Sequence, residues 1–401
     1  MSQDLKLADD SIDYAGADHA EKPAWGAVTS LALGVFSLVT AEFLPASLLT
    51  PMAATFRVSE ALVGQAVTVT AAGALVAALL AAVATRGIDR RLVLMGFSVL
   101  LIASNLLVAL APDLTVLLLA RLLLGIALGG FWSMATAVAM RLVPPAMLPR
   151  ALSMIFSGVS VATIAAAPLG AWLGHLYGWR TVFLLAMSIG VVTLLFQAAT
   201  LPALASTGTA RLRTLADVLA RPGIAIGMLG PVLVFGGHFG LFTFIRPLLE
   251  DAAGIGIDTM SLILLGFGIA NFAGTLLAGL LLERSLRLTL TLMPLAIGAA
   301  GLALAGYHAG ALACTVPMIV WGLAFGGVPV GWSTWLARAV PDEAESAGGL
   351  LVAAVQLAIA AGAAAGGAVF GLAGVTGVFT TGGVLLLLTA AAIFIRNPRT
   401  G

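Results

Sequence analysis

The amino-acid sequence predicts an all-α membrane protein of twelve transmembrane helices in two pseudo-symmetric six-helix halves, on three observations. Hydrophobic residues fill 61% of the 401 positions and charged residues only 9%, against roughly 25% charged in soluble domains. Apolar residues gather into runs of about 20, the length needed to cross a bilayer core. Residue types in the first half also recur in the second at a nearly constant offset. A water-exposed surface of ordinary size is excluded, and mean hydropathy is +1.11.

The elements follow in order. Residues 1–24 carry Asp4, Asp9, Asp10, Asp13, Asp18 and Glu21 against Lys6 and Lys22. This stretch lacks the basic start and immediate apolar core of a signal peptide and predicts a disordered cytoplasmic tail. Spans are predicted at 25–48, 61–84, 92–111, 114–139, 150–174 and 179–200, which form a first half over 25–200. Charged or Pro/Gly breaks such as Arg86-Gly87, Pro144-Pro145 and Gly178 separate them. A cytoplasmic linker covers 201–222. The second half, 223–396, has spans at 223–247, 259–282, 287–306, 311–336, 347–370 and 374–395.

Placement of Lys and Arg orients the chain. With a cytoplasmic N-terminus, thirteen arginines (86, 90, 91, 141, 150, 211, 213, 221, 284, 287, 338, 396 and 399) lie inside with Lys6 and Lys22, and only Arg57 and Arg180 lie outside. That asymmetry predicts cytoplasmic termini at both ends. The single cysteine, Cys314, excludes an internal disulfide and a cysteine metal cluster, and reads as a small core residue. No Walker lysine, metal-ligand cluster or basic nucleic-acid patch occurs, so neither a cofactor, a metal nor a nucleic-acid partner is expected.

An offset of 197 lays Gly125-Ile-Ala-Leu-Gly-Gly130 over Gly322-Leu-Ala-Phe-Gly-Gly327, and Arg141, Val143 and Pro144 over Arg338, Val340 and Pro341. An offset of 196 aligns Gly34, Phe43 and Pro51 with Gly230, Phe239 and Pro247. Glu42 then meets His238. Glu42 is the one acidic residue of eighteen inside a long apolar run, where a carboxylate costs roughly 2.5–3.5 kcal/mol on insertion scales. Its position, 17 residues into its span, lies about 25 Å along. Arg121 enters from the outside and sits about 10 Å in, at a depth that allows the two to pair. A static buried pair and a proton-coupling pair both fit.

Several stretches carry a resemblance. Gly87-Ile-Asp89-Arg90-Arg91 looks like the end of a cytoplasmic Asp-Arg loop. Arg121-x-x-x-Gly125 resembles a fourth-span motif associated with proton coupling, and Ala167-Pro168-Leu-Gly170-Ala-x-x-Gly174 a fifth-span antiporter motif. Together they resemble the major facilitator superfamily over the whole chain, in its drug/proton antiporter group. Glu42-Phe-Leu-Pro-x-Ser-Leu-Leu-Thr-Pro-Met-Ala53, Gly129-Gly-Phe-Trp132, Phe244-Ile-Arg-Pro247 and Pro329-Val-Gly-Trp-Ser-Thr-Trp335 are closer still to the purine ribonucleoside efflux permeases. The resemblance implies proton-driven export of inosine- or guanosine-type nucleosides by alternating access across a bacterial inner membrane, by a monomer surrounded by lipid. An antiporter of sugars or hydrophobic drugs is the same-class alternative. A non-transporting receptor or scaffold is the alternative of another class.

Site candidates follow. Glu42, Arg121 and His238 are the proton-coupling set; histidine titrates near neutrality, though a lone buried histidine serves equally as a hydrogen-bonded core residue. Aromatic faces for a base come from Trp132, Phe239, Trp332 and Trp335, with Ser133 and Ser333 beside them. Gln65, Asn105, Asn271 and Gln356 are intramembrane amides that either bind substrate or join helices. Asp89, Arg90 and Arg91 are expected to form a cytoplasmic latch, and Arg246 an outer gate or anchor. Trp25, Trp172 and Trp179 read as interface-belt residues.

Overall fold

A computed structural model describes residues 23–206, 212–249, 253–306 and 310–396; most of the acidic tail lies outside them. The described chain is helical: α1 (Trp25–Ser47), α2 (Leu49–Phe56), α3 (Glu60–Ala84), α4 (Arg90–Leu110), α5 (Leu114–Leu142), α6 (Leu148–Tyr177), α7 (Trp179–Thr200), α8 (Leu212–Ala220), α9 (Ile224–Phe242), α10 (Ile245–Pro247), α11 (Ile257–Arg284), α12 (Leu286–Gly306), α13 (Ala311–Ala339) and α14 (Ala344–Arg396). Eleven of these are long and apolar enough to cross a membrane. The 53-residue α14 is broken at Gly374, whose φ of 65° and ψ of −170° are not helical. Two spans meet at that break, so the described helices give the twelve the sequence predicts.

Local chemistry sets the boundaries. Ser59, Asp89 and Asp113 cap α3, α4 and α5, their side-chain oxygens accepting from Leu62, Arg91 and Val116 N–H. Gly178, at φ 83°, supplies the turn between α6 and α7. Sequence reading missed α2, a short helix after the first span, which ends where Arg57 adopts the left-handed conformation. Trp179 is buried rather than in an interface belt: its Nε1 donates to Thr55 Oγ1 at 2.9 Å and its ring packs on Phe56 and Phe183.

The sequence repeat is a repeat of contacts. A methyl group on Gly125 would lie 2.3 Å from the Thr70 carbonyl oxygen, and one on Gly322 2.4 Å from that of Phe267. Gly129 and Gly326 stand 2.0 Å, by the same measure, from the carbonyls of Ala74 and Asn271. All four pairs obey the offset of 197. Only glycine permits such backbone approach, and close approach is what associates helices in lipid, where no hydrophobic drive exists between them.

The halves meet through α3, α5 and α6 on one side and α11, α13 and α14 on the other. Gly348 abuts the Ser133 carbonyl, Gly349 that of Ala78, and Gly279 the Pro149–Ser153 turn. Ser153 Oγ donates to the Thr275 carbonyl, and Ser160 Oγ to Asn271 Oδ1 at 2.9 Å. These contacts lie toward the end of the bundle that carries Arg90. Within each half, α1 packs on α6 and α7, and α9 on α14.

Candidate functional site

Glu42 sits on a weakened turn of α1. Pro45 has no N–H, so the Ala41 carbonyl, four residues earlier, loses its helical donor. Arg121 fills the gap: Nη1 donates to Ala41 O at 2.8 Å and Nη2 to Glu42 O at 3.3 Å. Its guanidinium is fully buried, with Nε left without a partner. The expected carboxylate–guanidinium bond is absent among the described residues, where the ion pairs within 4.0 Å involve other groups. Arg121 acts on the half-buried Glu42 carboxyl through space, while its hydrogen bonds hold the backbone. Sequence reading found both residues but not the role of Pro45, although a proline three positions after the acid was the available signal.

Asn105 is fully buried, and neither amide atom has a partner. It follows Ser104, whose hydroxyl donates to the carbonyl of Ala120, the neighbour of Arg121.

His238, the repeat counterpart of Glu42, occupies different surroundings. Its Nδ1 accepts from Trp321 Nε1 at 2.9 Å. Because the indole can only donate, that bond places the neutral ring's proton on Nε2. The imidazole stacks on Phe325 at 3.3 Å and 3°, with Phe239, Phe242 and Trp321 around it. Among the described residues, the groups stacked on or bonded to the ring are aromatic, which fits the alternative of a hydrogen-bonded core histidine. Trp321 and Phe325, one turn apart on α13, were missed.

The other aromatic candidates separate. Trp132 stacks on Phe156 at 5.0 Å and remains half-buried. Trp332 and Trp335, read as substrate-binding, are 4% and 5% exposed and fill the spaces over Gly230 and Gly227 of α9. With Ser333, they form packing within the second half. Ser133 is likewise buried and donates to the Gly130 carbonyl. Asn271 is engaged by Ser160 across the interface, which fits the helix-joining alternative. Gln65 is exposed, and Gln356 half-buried.

The latch differs in its partner. Asp89 caps α4 instead of pairing with an arginine. Arg90, 1% exposed, reaches across to the second half and binds Glu345 through Nε and Nη2 at 2.5 and 2.6 Å, while Nη1 donates to the Thr85 carbonyl at 2.7 Å. Arg91 donates to the Ala198 carbonyl and so ties α4 to α7. Glu345 was missed; an acid in the first turn of α14, where it complements the helix dipole, was its only signal. Arg246 is exposed beside α9.

Twelve spans in two repeated halves, locked at one end around buried polar groups, define a polytopic membrane transporter. The chain belongs to the Major Facilitator Superfamily, whose family model matches residues 31–363. It is 45% identical over 378 residues to the purine ribonucleoside efflux pump NepI of Escherichia coli strain K12, covering 94% of this chain and 96% of that protein. The NepI of Escherichia coli O157:H7 is 44% identical over the same span. Among solved structures, the human organic anion transporter MFSD10 superposes with a TM-score of 0.77 at 18% identity, covering 93% of this chain and 100% of that one. The proton:xylose symporter XylE gives 0.70 at 17%, covering 93% and 95%. These two likenesses bear on the fold alone.

Proposed function

We propose that this protein exports purine ribonucleosides across a bacterial inner membrane in exchange for protons, as a monomer with both termini cytoplasmic. The observation that carries the substrate class is 45% identity to a purine ribonucleoside efflux pump over nearly the whole of both chains. Residues 25–200 and 223–396 act as the two rocking bodies, joined by the linker at 201–222. With the Arg90 end cytoplasmic, the interface contacts close the cytoplasmic side, and the arrangement corresponds to an outward-facing state.

Glu42 is the proton carrier in this reading. Its carboxyl is half-buried beside a guanidinium already committed to backbone carbonyls. Any movement of α1 against α5 changes the field on the carboxyl, and so couples its protonation to the conformational cycle. The cytoplasmic lock is the Arg90–Glu345 pair, which must part for the opposite face to open.

Inosine flux into everted membrane vesicles, with and without an imposed pH gradient, tests both claims. Gradient-stimulated accumulation is the expected result. Flux indifferent to the gradient removes proton coupling. Absence of inosine flux removes the substrate, and flux of sugars or hydrophobic drugs in its place supports the alternative carrier; a chain moving none of these acts as a receptor or scaffold.

A further inference from the structure

A groove of about 500 Å³ runs along the first half, lined by Gly73 and Ala77 of α3, Phe97 of α4, and Leu122 and Ile126 of α5. On α3 its lining begins at Ala72, the middle of the helix, and ends at Thr85, just past its last turn. That stretch rises about 20 Å, so the groove descends from mid-bilayer through one leaflet, whose hydrocarbon is about 15 Å deep. The face of α3 that meets the second half carries Ala78 and Leu79, against Gly349. At about 100° per residue, the lining positions centre on the opposite side of the helix. There Val76, Leu80 and Leu122 are 55%, 41% and 38% exposed. The groove is thus open to lipid and lies apart from the gap between the halves.

Every lining side chain is apolar except Thr85, and the Thr85 hydroxyl donates to the Ala81 carbonyl. Charge gathers at that one end. Arg90 is matched there by Glu345, and Asp89 stands beside Arg91, which leaves the exposed Arg86 as the excess cation. Among the described residues, the Arg86 guanidinium takes part in no hydrogen bond or ion pair. It follows Thr85 directly, so it stands where the groove reaches the membrane surface. A guanidinium in that place binds phosphate oxygens in pairs.

We propose that this groove binds one anionic phospholipid, its acyl chain lying along α3 against Phe97, Leu122 and Ile126 and its phosphate held by Arg86. Three features select that occupant. The apolar lining excludes a polar solute, because a buried polar group without a partner is costly. The length from Ala72 to Thr85 matches one leaflet, whereas a helix from a second copy needs an apolar face through both. The cation at one end alone fits a molecule with a single charged head. The lipid packs on the back of α3, whose front abuts Gly349 in the closed interface.

Native mass spectrometry of the purified full-length chain tests the site, with equal amounts of a phosphatidylglycerol and a phosphatidylcholine of the same acyl chains. Wild type should retain one phosphatidylglycerol with about 5-fold preference, the contribution of a single arginine near the membrane surface. Arg86→Gln, at an exposed position that folding does not depend on, should lose the preference, and Arg86→Lys should keep most of it. Ala77→Phe fills the groove and should lower retention of both lipids. Glycerol phosphate, a head group without chains, should not compete. Equal retention of the two lipids by wild type, or a preference unchanged in Arg86→Gln, overturns the site. So does competition by glycerol phosphate, or an Ala77→Phe variant that retains lipid as wild type does. A mass of two chains in place of a lipid-bound single chain would put a second copy on this face and overturn the site as well.

Discussion

Arg121 holds the main-chain carbonyl of Ala41 at 2.8 Å, and that carbonyl is free because Pro45 cannot donate to it. The cation is thus spent on backbone, and the acid beside it keeps its carboxyl available. Pro45→Ala returns an N–H to the helical ladder and removes a helix-interior proline, an unfavourable residue by about 3 kcal/mol. The expected outcome is a protein that melts at a higher temperature yet exports less, since Arg121 loses its seat. Thermal unfolding in detergent alongside vesicle flux measures both. A variant that is more stable and fully active would separate the proline from the mechanism.

Glu42→Gln keeps the size of the side chain and removes its charge change. Gradient-driven accumulation of inosine should be abolished, while downhill exchange of labelled for unlabelled inosine continues. Substitution of Arg121 by Ala behaves differently: it leaves the buried Ala41 carbonyl without a donor, at about 1–3 kcal/mol, and should lower stability as well as both modes of flux. Unimpaired uphill export by the glutamine variant would eliminate Glu42 as the proton carrier.

What the sequence made legible follows from what periodicity encodes. Span number survived because hydrophobic length is dictated by bilayer thickness, and the offset of 197 survived because backbone contact at Gly125, Gly129, Gly322 and Gly326 admits no other residue. Partners across the interface were not legible. Arg90 and Glu345 are 255 residues apart, and no local pattern marks them as a pair. Trp332 and Trp335 read the same in sequence whether they face a cavity or a glycine on another helix; Gly227 and Gly230 decide it. The apolar surroundings of His238 come from its own helix and from α13, more than 80 residues on, so its role could not be separated from that of Glu42 by position alone.

Arg90 is buried and bonded twice to Glu345, so removal of the acid leaves an unpaired cation that costs about 3–5 kcal/mol in this closed arrangement. Glu345→Gln should shift the protein toward the state open at that end. Spin labels at Ala146 and Glu283, on opposite halves, should report a longer mean distance. The exchanged pair Arg90→Glu with Glu345→Arg should recover part of the short-distance population. Unchanged distances in the single variant would show that the pair does not set the equilibrium.

Arg221 and Asp342 form a second two-bond pair, at 2.7 and 2.6 Å, between the linker and the α13–α14 loop. The hydrogen bond from Arg221 holds the Asp342 carboxyl below its usual range. A depressed carboxyl stabilises the fold fully above its unfolded value, about 3.9, and loses that contribution only as pH falls through the lower folded value. The pair therefore stays intact from pH 5 to 8. Asp342 is 60% exposed, which limits its contribution to about 0–1 kcal/mol. Asp342→Asn should change melting by at most a few degrees and leave the pH profile of export between 5 and 8 in place. Any pH dependence in that window then has to arise in the membrane-embedded groups, and Glu42→Gln should flatten it. An export profile displaced by Asp342→Asn would instead place a pH-sensitive step at the loops that carry Arg221 and Asp342.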